Sequence, residues 1–336
     1  MAALTVKSSI VPLILSPKAL APILRSVKVL DATWFMPNIV PKLDPDSEYL
    51  ARPRIPGALR WNPDAIAVTG PSVRNLPHMM PTPALFAREC ARRSITPDSH
   101  VVVYDTHGIF SSPRVAFTFH AFGHEKVSVL NGGLPAWRDA GLPLDDTVLE
   151  TVDDGLKDAQ AAQEKYPTPK LRQGIIRSYS EMLDNIRSPT NYQQVLDARP
   201  RPRFDGTAPE PRQGISSGHM PRALSLPFGE LLETKTAAAT GEKYTVLKDQ
   251  VDLYRRLGRG EAPLVDFEKL RQASSAGEPA IIATCGSGMT AAIIWLAFKT
   301  LGVETSVYDE SWMGWAGRES EGAPIVNTAQ EEQATG

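Results

Sequence analysis

The run Ile281-Ile282-Ala283-Thr284-Cys285-Gly286-Ser287-Gly288-Met289-Thr290-Ala291 decides how this chain is read. An apolar β-type stretch ends in a cysteine, and a loop of small residues then opens an apolar helix. Strand, loop and helix in that order are the unit of a parallel α/β sheet. Successive backbone N–H groups of such a loop can curl around one point, and the helix start adds positive partial charge there. A thiolate is the species that such a seat favours. Glycines at 286 and 288 let the backbone close where a side chain would block it. An inert buried cysteine is the competing reading, and the Gly-Ser-Gly flank argues against it.

Working outward, the chain repeats itself. Val29-Leu30-Asp31-Ala32-Thr33 returns as Val195-Leu196-Asp197-Ala198-Arg199, and Arg54-Ile55-Pro56-Gly57-Ala58-Leu59 as His219-Met220-Pro221-Arg222-Ala223-Leu224. Val101-Val102-Val103-Tyr104-Asp105 matches Ile281-Ile282-Ala283-Thr284-Cys285, and each copy closes on a tryptophan, Trp137 or Trp315. Landmarks repeated in one order mark a duplicated domain. Within each copy short β-rich runs alternate with helical stretches, which predicts an α/β fold of two tandem domains, each a parallel sheet with helices on both faces. The expected bounds are residues 11–143 and 173–322, with 144–172 as connector. Ligands of such folds bind beyond the carboxyl ends of the strands. Copy one has Asp105 where copy two has Cys285, so copy two is expected to be the catalytic one and Asp105 a structural loop residue.

Composition narrows the class. The 336 residues are 42% hydrophobic with a formal net charge of −2, which offers no basic field for nucleic acid. The two cysteines, Cys90 and Cys285, lie far apart without metal-type spacing, and a reducing compartment fits them best. Cys90 falls in a charged, helix-like stretch, Arg88-Glu89-Cys90-Ala91-Arg92. No apolar run reaches the length of a membrane span. No acidic residue precedes Asp31, while Lys7, Lys18, Arg25 and Lys28 are basic, as in a weak mitochondrial presequence. Against that, Val27–Leu30 reads as a first strand and Leu15–Leu24 as the helix before it, so cytoplasm and mitochondrion both stay open. The polar residues after Pro324 are expected to fray.

These residues resemble the two-domain rhodanese-like sulfurtransferases, and among them those that take sulfur from 3-mercaptopyruvate. The likeness spans roughly residues 11–322. It rests on the loop Cys285–Ala291, on Arg203-Phe204-Asp205-Gly206-Thr207-Ala208-Pro209-Glu210-Pro211-Arg212, on Tyr308-Asp309-Glu310-Ser311-Trp312 and on Ser128-Val129-Leu130-Asn131-Gly132-Gly133. Thiosulfate-preferring relatives carry basic residues after the cysteine, whereas this chain has Gly286 and Ser287. The resemblance implies that Cys285 carries a persulfide and that Ser287 assists it. Arg203 and Arg212 would clamp the substrate carboxylate through their planar forks, and Gly286, Gly288, Met289 and Thr290 would complete the substrate-binding loop. It implies no cofactor or metal, and a thiol, thioredoxin or cyanide as sulfur acceptor. One departure stands out. Where animal members have His before the Ile-Pro-Gly step, this chain has Arg54, so a Ser-His-Asp relay is expected to lack its histidine. Arg54 then adds charge at the interdomain mouth or makes a surface salt bridge. Thiosulfate as donor and a sulfur-relay role toward tRNA thiolation remain alternatives. A cysteine phosphatase is disfavoured, because its loop would end in Arg, where Thr290 and Ala291 stand.

Overall fold

Val101–Tyr104 and Ile281–Thr284 are buried along their whole length rather than alternating, as in strands covered on both faces. In the computed structural model both run through the middle of a sheet. The structure describes residues 11–328 other than 52, 154–155, 157–165, 259–263 and 276. The first half builds β1 (Ile14–Leu15), β2 (Lys28–Asp31), β3 (Leu59–Arg60), β4 (Val101–Tyr104) and β5 (Val127–Leu130), in the spatial order β1-β5-β4-β2-β3. The second half adds β6 (Ile176–Arg177), β7 (Val195–Asp197), β8 (Leu224–Ser225), β9 (Leu232–Thr236), β10 (Lys243–Leu247), β11 (Ile281–Thr284) and β12 (Thr305–Tyr308). Its sheet runs β6-β12-β11-β7-β8, the same permutation, and every pairing in both sheets is parallel. The fold is thus α/β with two tandem sheets of one topology.

Side-chain alternation divides each strand between two cores. Val101 and Val103 point into one cluster while Val102 and Tyr104 point into another on the opposite face. Ile281 and Ala283 share the first cluster, and Ile282 faces a third. One core therefore runs continuously across both halves. Its centre is the pair of helices Ser112–Ala121 and Ala291–Thr300, which pack on each other with Phe117 and Trp295 rings 5.4 Å apart. A helix covered on all sides tolerates apolar residues all round, and every residue of Ala291–Phe298 is buried.

The structure corrects the reading of both ends. Leu15 belongs to edge strand β1, which pairs with β5, and Lys28–Asp31 is the second strand. Ser16 caps only a short helix, Pro17–Leu20, followed by a 3₁₀ segment Ala21–Ser26. Lys7, read as part of a presequence, lies outside the described residues. Beyond Pro324 the chain does not fray at once, because Val326 exchanges both backbone hydrogen bonds with His219 at 2.9 Å. The equivalent Arg54 does the same with Asp145. Much of the connector falls outside the described residues. One element went unread, the antiparallel hairpin β9–β10, which leaves the second half and grips the first. Thr245 N–H donates to the His107 carbonyl at 3.0 Å and Leu247 N–H to Asn131 Oδ1 at 2.8 Å. Among the described residues no helix is long and apolar enough to cross a membrane.

A charged cluster closes the rear of the helix pair. His120 Nε2 lies 3.3 Å from Glu304 Oε2, Lys299 also pairs with Glu304, and Arg172 Nη1 lies 2.9 Å from His120 Nε2. Burial raises the Glu304 pKa, but the hydrogen bonds from His120 and Lys299 outweigh it and bring it from 4.5 to about 2. A depressed carboxylate pKa stabilises the fold above the unfolded value and loses that contribution as pH falls through the folded one. Glu304→Gln should therefore cost roughly 2–3 kcal/mol at neutral pH. Urea unfolding should show the gap narrowing between pH 4.5 and 2; a gap that stays constant across that window would contradict the assignment.

Candidate active site

β11 ends at Thr284, so Cys285 stands at the carboxyl end of a central strand. The loop after it turns its carbonyls outward. Cys285 O accepts from Trp312 N–H at 2.9 Å and Gly286 O from Met313 N–H at 3.0 Å, both in the first turn of the helix Ser311–Ala316. With the acceptors satisfied there, Gly288 N–H faces inward and donates to Cys285 Sγ at 3.1 Å. Gly288 has φ +82°, and a Cβ there would come within 3.0 Å of the Asp309 carbonyl. Glycine is required at that point on both counts. Cys285 is only 2% exposed.

The expected gap in the relay is filled from elsewhere. His78 Nδ1 lies 3.0 Å from Ser287 Oγ, and His78 Nε2 lies 2.9 Å from Asp64 Oδ1. With Nε2–H directed at the carboxylate, Nδ1 is the acceptor for the serine hydroxyl. Burial raises the Asp64 pKa, yet the hydrogen bonds from His78 and Trp34 prevail and hold it below the ordinary carboxylate range. The histidine thus comes from the proline-clamped stretch Pro77-His78-Met79-Met80-Pro81, not from position 54. Arg54 is no mouth residue. It is buried, donates to the Tyr49 and Thr147 carbonyls, and pairs with Asp145. His219, the matching residue of the second half, stacks on Phe204 and contacts the Phe204 carbonyl.

His78 crosses from the first half to the second, and its backbone bears strain at φ +60°. A buried ion pair holds it there. Arg114 Nη2 donates to Asp309 Oδ1 at 2.6 Å and to the His78 carbonyl at 2.5 Å, while Asp309 Oδ2 accepts Met80 N–H at 2.8 Å. Arg114 Nη1 also reaches the Gly288 carbonyl at 3.4 Å. One arginine therefore touches both the imidazole loop and the sulfur loop.

A cavity of about 620 Å³ opens over the thiol. Cys285, Gly286, Ser287, Met289, Thr290, Arg203 and Arg212 all line it, and Trp34, Met36 and Phe110 of the first half form the opposite wall. Gly288 is not on its surface and serves the sulfur through its amide alone. The two arginines differ. Arg203 pairs with buried Glu210, which also binds Arg199, and a Cβ on Gly286 would meet Arg203 Nη2 at 3.2 Å. Arg212 has no carboxylate within ion-pair distance among the described residues; its Nη1 rests on Met313 Sδ. Burial lowers its pKa against the opposing pull of Asp64 and Cys285. Such a desolvated cation is a seat for an incoming anion.

The first half shows the same seat already occupied. The Asp105 carboxylate, fully buried, accepts N–H groups of His107, Phe110, Ser111 and Ser112 at 2.9–3.0 Å and the Ser112 hydroxyl at 2.7 Å. It holds its own loop shut, as the structural reading of Asp105 requires.

Comparison with known proteins gives the family of both halves. The profile of the Rhodanese-like domain matches twice, at residues 37–140 and 178–318. "Thiosulfate/3-mercaptopyruvate sulfurtransferase 1, mitochondrial" of Arabidopsis thaliana is 36% identical over 306 residues, 86% of this chain and 72% of that protein. The 3-mercaptopyruvate sulfurtransferase of Escherichia coli K12 is 32% identical over 294 residues, 87% of this chain and 90% of its own length. Among solved structures, the Tum1 protein of Saccharomyces cerevisiae superposes with a TM-score of 0.72 at 30% identity, covering 94% of this chain and 99% of that one.

Breaking the Arg114–Asp309 pair should be costly, since one buried charge then has no partner. Asp309→Asn should destabilise the protein by about 3 kcal/mol and slow turnover as the His78 loop loses its anchor. Chemical unfolding alongside kinetics checks both; unchanged stability would mean that the pair is dispensable.

Proposed function

The chain belongs to the two-domain rhodanese-like sulfurtransferases, and on that premise we propose that it moves sulfur from 3-mercaptopyruvate to a thiol, thioredoxin or cyanide through a persulfide on Cys285. The observation that carries this reading is the Ser287–His78–Asp64 relay beside a cysteine in a cavity lined by an arginine with no carboxylate at ion-pair distance among the described residues. Simple attack on thiosulfate needs no proton, whereas release of pyruvate does.

The steps follow from that need. Arg212, assisted by Arg203, fixes the substrate carboxylate. The Cys285 thiolate attacks the substrate sulfur, the carbon–sulfur bond breaks, and its electron pair passes into the enolate of pyruvate. The proton carried by the substrate thiol has to end on the enolate carbon. Ser287, whose hydroxyl bridges to His78 Nδ1, is the group suited to pass it. The outer persulfide sulfur then meets the loop amides, with Gly288 N–H already directed at Sγ. An acceptor thiolate takes that sulfur and restores the Cys285 thiolate, a ping-pong cycle. Thiosulfate is the second donor to consider, because the plant relative is named for both. Mitochondrion and cytoplasm are both proposed as settings, the plant relative being named mitochondrial.

Mass spectrometry after brief exposure to 3-mercaptopyruvate tests the reading. The protein should gain one sulfur, and Cys285→Ser should abolish the gain. Cys90→Ser should not, because Cys90 is fully buried and burial pushes its thiol well above the usual range. A sulfur retained by Cys285→Ser would sink the assignment. With the neutral loop, kcat/KM should be higher for 3-mercaptopyruvate than for thiosulfate, and equal values would overturn the donor.

The roles of the arginine and the serine should separate in kinetics. Losing a charge-assisted bond to a carboxylate costs about 1.5–3 kcal/mol, so Arg212→Ala should raise KM roughly tenfold to a hundredfold. Ser287→Ala should lower kcat more than it changes KM. A purely KM effect for Ser287→Ala would remove it from the proton path.

A further inference from the structure

Asp64 presents a problem for the relay that the site residues named so far do not solve. Its side chain is 51% exposed and opens into a second cavity of about 660 Å³ beside the first. A carboxylate in contact with solvent is free to rotate and hydrate. Unless Oδ1 stays on His78 Nε2, the imidazole tautomer that leaves Nδ1 free for Ser287 is not enforced.

Trp34 supplies what is missing. Its indole Nε1–H donates to Asp64 Oδ2 at 2.9 Å, which fixes the second oxygen and directs the first at His78. The same ring meets the His78 ring edge to face, with centroids 4.7 Å apart and planes at 88°. Phe110 stacks behind it at 6.1 Å. Trp34 itself is 5% exposed and sits just past the carboxyl end of β2, where the Asp31 carboxylate accepts the Thr33 N–H. It lines both cavities and forms part of the partition between them. We propose that Trp34 is a positioning residue of the relay, holding Asp64 by a hydrogen bond and His78 by ring contact so that Ser287 faces one imidazole tautomer. This inference rests on the sulfurtransferase reading above for its kinetic consequence, but not for its structural one.

The rival role for Trp34 is that of a cavity wall packed against substrate, and the experiment separates the two. Trp34→Phe keeps an aromatic ring and deletes the donor. Its kcat for 3-mercaptopyruvate should fall about tenfold, with KM moving by less than about twofold. In an Asp64→Ala background the same change should have almost no further effect on kcat, because the group through which it acts is gone. In substrate-free protein, histidine ¹⁵N shifts should show His78 losing its preference for the Nε2–H tautomer. Should Trp34→Phe fail to fold, 3-benzothienylalanine at position 34, with sulfur in place of the indole N–H, carries the same three measurements. Equal loss in both backgrounds, an effect on KM alone, or an unchanged His78 tautomer would each overturn the proposal. If the unmodified protein does not turn over 3-mercaptopyruvate, the substrate reading fails, and the tautomer measurement still decides the role of Trp34.

Discussion

The packing of the helix Ser112–Ala121 against the helix Ala291–Thr300 sets the geometry of everything around it. Each helix starts from the loop at the end of its own central strand, one loop holding Asp105 and the other Cys285. Because the helices are buried against each other through residues such as Phe117 and Trp295, the two loops cannot move apart without opening the common core. Burial of that extent is the largest favourable term available to the fold. It brings Arg114, near the start of the first helix, against Asp309 and Gly288 of the second half. From that contact follow the strained His78 loop, its approach to Ser287, and the wall of Trp34 and Phe110 over the thiol.

Duplication makes the molecule its own control. Both copies turn backbone amides inward after a central strand. In one, four N–H groups close on a carboxylate attached to the chain, and in the other Gly288 N–H is directed at the Cys285 sulfur. The fixed carboxylate shows what such a loop prefers to surround, a compact anion with several lone pairs.

Much of this was legible in the sequence, for identifiable reasons. Uninterrupted apolar strands, a glycine loop and repeated landmarks are local signals, and they gave the α/β fold, the duplication and the position of Cys285. Arg203, Arg212 and Ser287 all line one cavity. The misses are non-local. The Ile-Pro-Gly step points to position 54 for the histidine, whereas the fold delivers His78 from a loop whose only mark is its flanking prolines. Asp64 and Trp34 carry no mark at all until the chain brings them to His78. Arg54, read as mouth charge or surface salt bridge, makes an ion pair with Asp145, but its backbone pairing with the same residue takes it inside. The ends were misjudged similarly, since β1 and Val326 are ordered by partners far along the chain. The hairpin β9–β10 lies outside the repeat, and β9 carries no apolar alternation, being exposed beyond Leu232.

The site's division between the halves has an evolutionary consequence. Ordinarily one of two duplicated units is redundant and free to decay once the other performs the chemistry. Here the unit with Asp105 in the cysteine's place supplies the imidazole, its carboxylate and the arginine that anchors them. Selection on sulfur transfer therefore acts on both units, and deletion of the silent one would remove the base along with the scaffold.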